Sequence, residues 1–199
     1  MTARLRAMLG RGINPWRAMN TTSITIVTGG LALHSSSAQL ADRFKDAVKE
    51  EISGRGLEPR IRTHHLSQFC YEIADFITNG YPEGELESLL NEVTSADGVI
   101  TVSPTFQGSY SGLFKSFWDL MSAEDFEGKP LLLGATGGSP RQSMVLEYSM
   151  RPLFTFLHAD VVPTGVYATS TELSSEHTLE DRIGRAAREF AQKVVPETE

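Results

Sequence analysis

The stretch Ser23-Ile24-Thr25-Ile26-Val27-Thr28-Gly29-Gly30-Leu31-Ala32-Leu33-His34-Ser35-Ser36-Ser37 decides the fold. Its first six residues are mostly β-branched and end in two glycines, which marks a short buried strand running into a loop. After the serines, Leu40, Ala41, Phe44, Ala47, Val48 and Ile52 recur at spacings of three and four, and Gly54 ends the run. That is one apolar face of a helix with a stop signal behind it. A buried strand, a glycine turn and a helix opening on serines form the first unit of an alternating α/β chain.

Working outward, the same alternation repeats. Residues 57–63 read as a polar strand carrying Pro59, which confines it to a sheet edge. Residues 67–79 and 84–95 read as two helical pieces. Residues 98–103 and 130–136 read as buried strands, and 161–168 as a fifth strand. Helices are expected over 109–122, over 143–158 with Pro152 inside, and over 177–194. Continuous apolar runs in the middle strands require a parallel sheet covered on both faces. Right-handed crossovers leave few arrangements. The polar second strand at an edge selects a doubly wound, five-stranded parallel sheet in the order 2-1-3-4-5, the flavodoxin-like order.

The chain has 199 residues, 40% of them apolar and 22% charged, with 18 basic and 25 acidic residues for a net charge of −7. This is globular composition for about one domain. The acidic balance argues against a nucleic-acid partner. No apolar run approaches the ~20 residues needed to cross a bilayer, so no membrane association is expected. A single cysteine, Cys70, allows no internal disulfide. The first 19 residues are different in kind. They hold Arg4, Arg6, Arg11 and Arg17, no acid, and the helix breakers Gly10, Gly12 and Pro15. Residues 1–22 read as a disordered basic extension, with Met19 as a candidate translation start, and residues 23–199 as one domain.

In an open parallel sheet, ligands sit beyond the carboxyl ends of the strands at the point where the winding reverses. Three loops reach that point: 29–37, 104–109 and 136–142, all rich in Gly, Ser, Thr and Pro. The first is neither a dinucleotide fingerprint nor a P-loop. It sets Gly30 and the hydroxyls of Ser35, Ser36 and Ser37 at a helix N-terminus, a phosphate site by geometry and dipole. The competing reading is that these serines only cap the helix.

The second loop runs Pro104-Thr105-Phe106-Gln107-Gly108-Ser109-Tyr110-Ser111 and leads into Gly112-Leu113-Phe114-Lys115 and Asp119. The third is Ala135-Thr136-Gly137-Gly138, followed by Arg151-Pro152-Leu153. In this order, from about Ile24 to Ala168, the motifs resemble those of the NAD(P)H-dependent FMN reductases of the flavodoxin-like superfamily. They are most similar to the reductase components of two-component flavin monooxygenases, such as the alkanesulfonate systems. The resemblance implies FMN as cofactor and NADPH or NADH as hydride donor. It places the FMN phosphate at Ser35–Ser37, and the isoalloxazine against Pro104, Thr105, Phe106 and Gln107 and against Thr136, Gly137 and Gly138. Many family members have an arginine in the phosphate loop. This chain has none between Arg17 and Arg43, so His34 is the candidate replacement. Arg141 is the candidate for the nucleotide's phosphates. In the similar reductases a tyrosine at the place of Tyr110 belongs to a π-bulge, which makes Tyr110 a candidate flavin-exchange gate.

A flavin also accounts for the lack of an acid–base constellation, because the cofactor carries the hydride chemistry. Histidines 34, 64, 65, 158 and 177 show no metal-ligand spacing, and His64 and His65, being adjacent, point in different directions. No metal is expected. Lys115 and Asp119, four apart on one helix, read as a local ion pair. The helix at 109–122 is apolar nearly all round. That requires a second partner for its outer face: either the helix lies deep in the core, or it forms a subunit interface, which suggests a homodimer or homotetramer. The expected protein is a cytoplasmic NAD(P)H:FMN oxidoreductase that supplies a partner monooxygenase. The alternatives are an FMN-retaining quinone or azo-dye reductase, a flavodoxin-type electron carrier and a non-enzymatic binding module.

Overall fold

A computed structural model describes residues 21–82, 84–174 and 177–195. The expected basic extension lies outside the described residues up to position 20. Thr21 and Thr22 already belong to the first strand, β1 (Thr21–Thr28).

β1 leads into helix α1 (Ser36–Ser53), then β2 (Glu58–His65), a 3-10 turn (Leu66–Gln68), α2 (Cys70–Asn79) and α3 (Gly84–Ser95). Next come β3 (Gly98–Phe106), β4 (Ser109–Tyr110), α4 (Gly112–Trp118), α5 (Ala123–Phe126) and β5 (Pro130–Gly137). The chain continues through a 3-10 turn (Pro140–Gln142), a π-helical turn (Leu146–Met150), α6 (Arg151–Phe156), β6 (Asp160–Val161), β7 (Val166–Thr169), α7 (Ser170–Ser174) and α8 (His177–Val194). The sheet order is β2-β1-β3-β5, with β6 and β7 one after the other along the outer edge of β5. All these pairings are parallel. The five strand positions of the flavodoxin-like order are therefore present, with the winding reversing between β1 and β3.

Three elements differ from the sequence expectation. The fifth strand is two pieces, β6 and β7, interrupted around Pro163, which has no N–H to give the ladder. Thr164 there turns to Glu189 of α8 instead, donating N–H and hydroxyl hydrogens to its carboxylate at 2.7 Å each. The expected helix at 109–122 begins only at Gly112 and ends at Trp118. Ser109 and Tyr110 pair back antiparallel onto Phe106 and Thr105, through a tight turn in which Gln107 and Gly108 have φ of 51° and 80°. Tyr110 is thus a strand residue, and the π geometry lies elsewhere. It falls just before Pro152, whose missing N–H leaves a helix interior without its regular bond; the Arg151 N–H reaches back five residues to the Leu146 carbonyl.

Alternation along the strands divides the core in two. Ile24, Ile26, Ile100, Val102 and Leu132 face α1 and α8, and pack with Leu40, Phe44, Ile183 and Phe190. Val27, Val99, Leu131 and Leu133 face the other way, onto an aromatic cluster of Phe114, Phe117, Trp118, Phe126 and Phe154. On the first face, Gly134 brings the helix layer close: a Cβ there would stand 2.6 Å from the Phe44 ring.

Candidate functional site

The carboxyl ends of β1, β3, β5 and β7 open into a cavity of about 310 Å³. Loop 29–37 supplies Gly30, Leu31, Ala32 and the three serines; β3 supplies Pro104, Thr105 and Phe106; β5 supplies Thr136, Gly137 and Gly138; Ser170 closes the far side. The volume is at the lower end for small-molecule sites.

The three serines have three different jobs. Ser35 is the N-cap of α1, its Oγ accepting from the Ala38 N–H at 3.2 Å. Gly30 allows this approach, since a Cβ there would lie 2.4 Å from the Ser35 Oγ. Ser37 is buried and shares a 3.0 Å hydrogen bond with the Thr136 hydroxyl, tying the β1 loop to the end of β5. Among the described residues no side chain or backbone group engages the Ser36 hydroxyl. The N–H groups of Ser36 and Ser37 begin the helix and have no carbonyl within it to bond. Ser35 therefore caps the helix, and Ser36 with the open N–H groups faces the cavity, an arrangement of the kind that suits an anion.

Ser111, the N-cap of α4, joins the β1 loop to the β3 loop. Its Oγ donates to the Gly29 carbonyl at 2.7 Å and accepts from the Phe114 N–H at 3.1 Å, and its own N–H donates to the Ser103 Oγ at 3.0 Å. The third loop is braced by Gln142 and Tyr167. The Gly138 N–H donates to Gln142 Oε1 at 3.1 Å, and the Tyr167 hydroxyl donates to the Ser139 carbonyl at 2.7 Å. Burial pushes the Tyr167 phenol above its ordinary value. Thr169, beside Ser170, is held by Glu172, which Arg182 engages in turn.

Most of the sequence-derived site residues converge here, and four do not line the cavity. His34 is exposed on the loop, on the side of His65, whose protonation it disfavours. Gln107 is exposed at the tip of the β3–β4 turn. Arg141 is exposed on the 3-10 turn after β5. Tyr110 belongs to a different cleft of about 560 Å³, shared with Trp118, Tyr148 and Phe156. Lys115 and Asp119 form the expected i,i+4 ion pair. Sequence reasoning missed Ser111, Gln142 and Ser170. Ser170 had a signal, because it directly follows the fifth strand. Ser111 acts on the Gly29 carbonyl, distant in sequence, and Gln142 turns back four residues to the Gly138 N–H; no local pattern announces either contact.

A flavin nucleotide fits this arrangement. The helix N-terminus with Ser36 suits a phosphate, Gly137 and Gly138 bring bare backbone to the cavity wall, and Thr105, which lines it, has a buried hydroxyl oxygen with no partner. Among the described residues no cluster of His, Cys, Asp or Glu is arranged to hold a metal, and no helix is long and apolar enough to cross a membrane.

Comparison with known proteins agrees with this geometry. An NADH-dependent FMN reductase of Pseudomonas putida, SfnE, is 36% identical over 176 residues, covering 87% of this chain and 91% of that protein. The FMN reductase (NADPH) of Pseudomonas aeruginosa is 32% identical over 143 residues, 72% of this chain and 77% of that protein. Among solved structures, an oxidoreductase from Corynebacterium diphtheriae superposes with a TM-score of 0.84 at 34% identity, covering 90% of this chain and all of that one. Residues 22–173 match the family described as NADPH-dependent FMN reductase. With the fold, the cavity and these relatives in agreement, the chain belongs to the NADPH-dependent FMN reductase family.

Proposed function

We propose that the protein is an NAD(P)H:FMN oxidoreductase that treats FMN as an exchanging substrate and supplies reduced flavin to a partner flavin-dependent monooxygenase. Bound FMN supplies the hydride-accepting chemistry, with NADPH or NADH as donor. The chain binds and orients: Ser36 and the N–H groups opening α1 hold the phosphate, and Pro104 to Phe106 and Thr136 to Gly138 flank the ring. Gln107, His34 and Arg141 lie at the margin, where Arg141 suits the phosphates of the nicotinamide donor. The observation that carries the exchange reading is the cavity lining, which contains no charged side chain among the described residues. A phosphate held by neutral donors alone lacks a cationic side chain to pair with its charge, so the bidentate ion pair that tightens many phosphate sites is missing.

The partner role draws support from the SfnE relative and from the loop motifs. We further place a homo-oligomer contact on the cleft lined by Tyr110, Tyr148 and Phe156, with Tyr110 gating flavin exchange through that contact, and the protein in the cytoplasm. The test is FMN retention. After gel filtration the protein should be colourless and oxidise NAD(P)H steadily only with FMN added. A yellow protein with stoichiometric FMN that reduces quinones by ping-pong kinetics would instead establish an FMN-retaining quinone or azo-dye reductase.

A further inference from the structure

The Gly137–Gly138 loop forms one wall of the cavity, and its other side is packed by two polar groups from outside it. A Cβ on Gly137 would stand 2.4 Å from the Tyr167 hydroxyl and 2.5 Å from Gln142 Oε1. These two atoms therefore occupy the space where any other residue would place a side chain. They also face each other at 3.4 Å. Gln142 Oε1 takes the Gly138 N–H at 3.1 Å, and Tyr167 takes the Ser139 carbonyl at 2.7 Å. Two consecutive residues of the loop are thus pinned through backbone groups by two side chains that are not part of the cavity lining. Tyr167 is buried on β7, so the brace is anchored in the sheet. Thr136, directly before the loop, is pinned separately by Ser37.

Left unbraced, a Gly-Gly loop would sample a wide range of backbone conformations. Ordering it when a ligand arrives would subtract from affinity, whereas a loop ordered beforehand does not. Resting on the FMN reading above, we propose that Gln142 and Tyr167 are positioning residues for the flavin ring: they hold the Gly137–Gly138 wall in its binding shape from behind without touching the flavin. Their effect should fall on the ring and not on the phosphate, because the phosphate end is built separately by α1.

The experiment compares FMN with riboflavin, which has the ring and lacks the phosphate, by quenching of flavin fluorescence. Gln142→Leu removes the acceptor at similar volume, and Tyr167→Phe removes only the hydroxyl. Each should weaken both flavins by the same factor, about 5- to 10-fold, the size of one net hydrogen bond. The double variant should weaken binding by less than the product of the two factors, since both act on one loop. Gln142→Glu, which keeps an acceptor for the Gly138 N–H, should restore most of the affinity. Ser36→Ala should weaken FMN alone. Thermal unfolding without flavin checks that the variants are folded. Folded variants with unchanged affinity for both flavins, or a loss confined to FMN, would overturn the brace. A wild-type protein that binds neither flavin would overturn the FMN reading itself.

Discussion

The two faces of the sheet are covered by different material. On one, two 18-residue helices, α1 and α8, lie over an aliphatic layer that includes Ile24, Ile26, Ile100 and Leu132. On the other, α2, α3, α4 and α6 have 10, 12, 7 and 6 residues and cover a cluster that holds seven buried aromatic rings. The exposed large apolar side chains follow the same division. Tyr71, Ile77, Tyr148 and Phe156 belong to segments on the aromatic side, Tyr81 to the connection between α2 and α3, Leu31, Leu33 and Met144 to loops, and Phe106 to the end of β3 at the cavity; none lies on α1 or on the described part of α8. One face is finished within a single chain, and the other leaves rings in water that a second surface could cover.

If that distinction is real, equivalent truncations on the two faces should have opposite consequences. Phe44→Ala removes a fully buried ring between α1 and Gly134. It should cost about 3–5 kcal/mol in urea unfolding. Phe156 is 78% exposed, so Phe156→Ala should change the stability of an isolated subunit by less than about 0.5 kcal/mol. The same substitution should weaken self-association by about 1.5–3 kcal/mol for each ring that an interface buries. Sedimentation across a concentration series reads this directly. An identical assembly for wild type, Phe156→Ala and Tyr148→Ala would remove the contact from this face.

The closed face was also the more legible in the sequence. The spacing from Leu40 to Ile52 names the buried side of α1, and the pattern of Leu179, Ile183, Ala187, Phe190 and Val194 does the same for α8. A long helix with one apolar stripe repeats its signal several times. The aromatic face is built from short pieces, each offering one or two turns of pattern. That is why the spacing of Tyr110, Leu113, Phe114, Phe117 and Trp118 points to a helix, while the turn at Gln107 and Gly108 that folds Tyr110 onto Thr105 carries only one glycine as its signal. Pro152 was visible, but its result, a π turn over 146–150, depends on how neighbouring backbone groups find partners. At the site, residues on strand ends were legible because topology alone puts them there. Their braces, Ser111, Gln142 and Tyr167, became visible only through contacts across the fold.

The cavity sharpens the comparison, because α1 of the closed face supplies the end of it proposed to hold the FMN phosphate. Ser36→Ala should weaken FMN by about 1.5 kcal/mol, the lower range for a hydrogen bond to a charged group. Ser35→Ala should instead lower thermal stability by about 1 kcal/mol through the lost cap. Equal losses of FMN affinity in both variants would mean that the serines act only through the helix.

The smallest expected effect separates two adjacent histidines. His64 and His65 point to opposite faces of β2. His64 meets Glu92 of α3 at 3.0 Å on the aromatic side, and His65 meets the Thr28 hydroxyl at 2.8 Å, with Asp42 of α1 nearby. Burial holds His65 below its ordinary 6.5; Asp42 opposes this, and His64 and His34 reinforce it. The unfolded chain therefore takes up this proton first as the pH falls. The stabilisation is complete above 6.5 and is lost as the pH drops through the folded value. His65→Asn removes that dependence, so the stability advantage of wild type over the variant should shrink as the pH falls below 6.5. Glu92 is held below its ordinary 4.5, because hydrogen bonds from His64 and Arg62 outweigh the opposing effect of burial. Its contribution is present above 4.5 and is lost only under more acid conditions. Thermal unfolding of His65→Asn and Glu92→Gln at matched pH values should then show two separate windows, the upper belonging to the closed face and the lower to the open one. A single shared window would mean that His65 and Glu92 titrate together across the strand and do not mark the two faces separately.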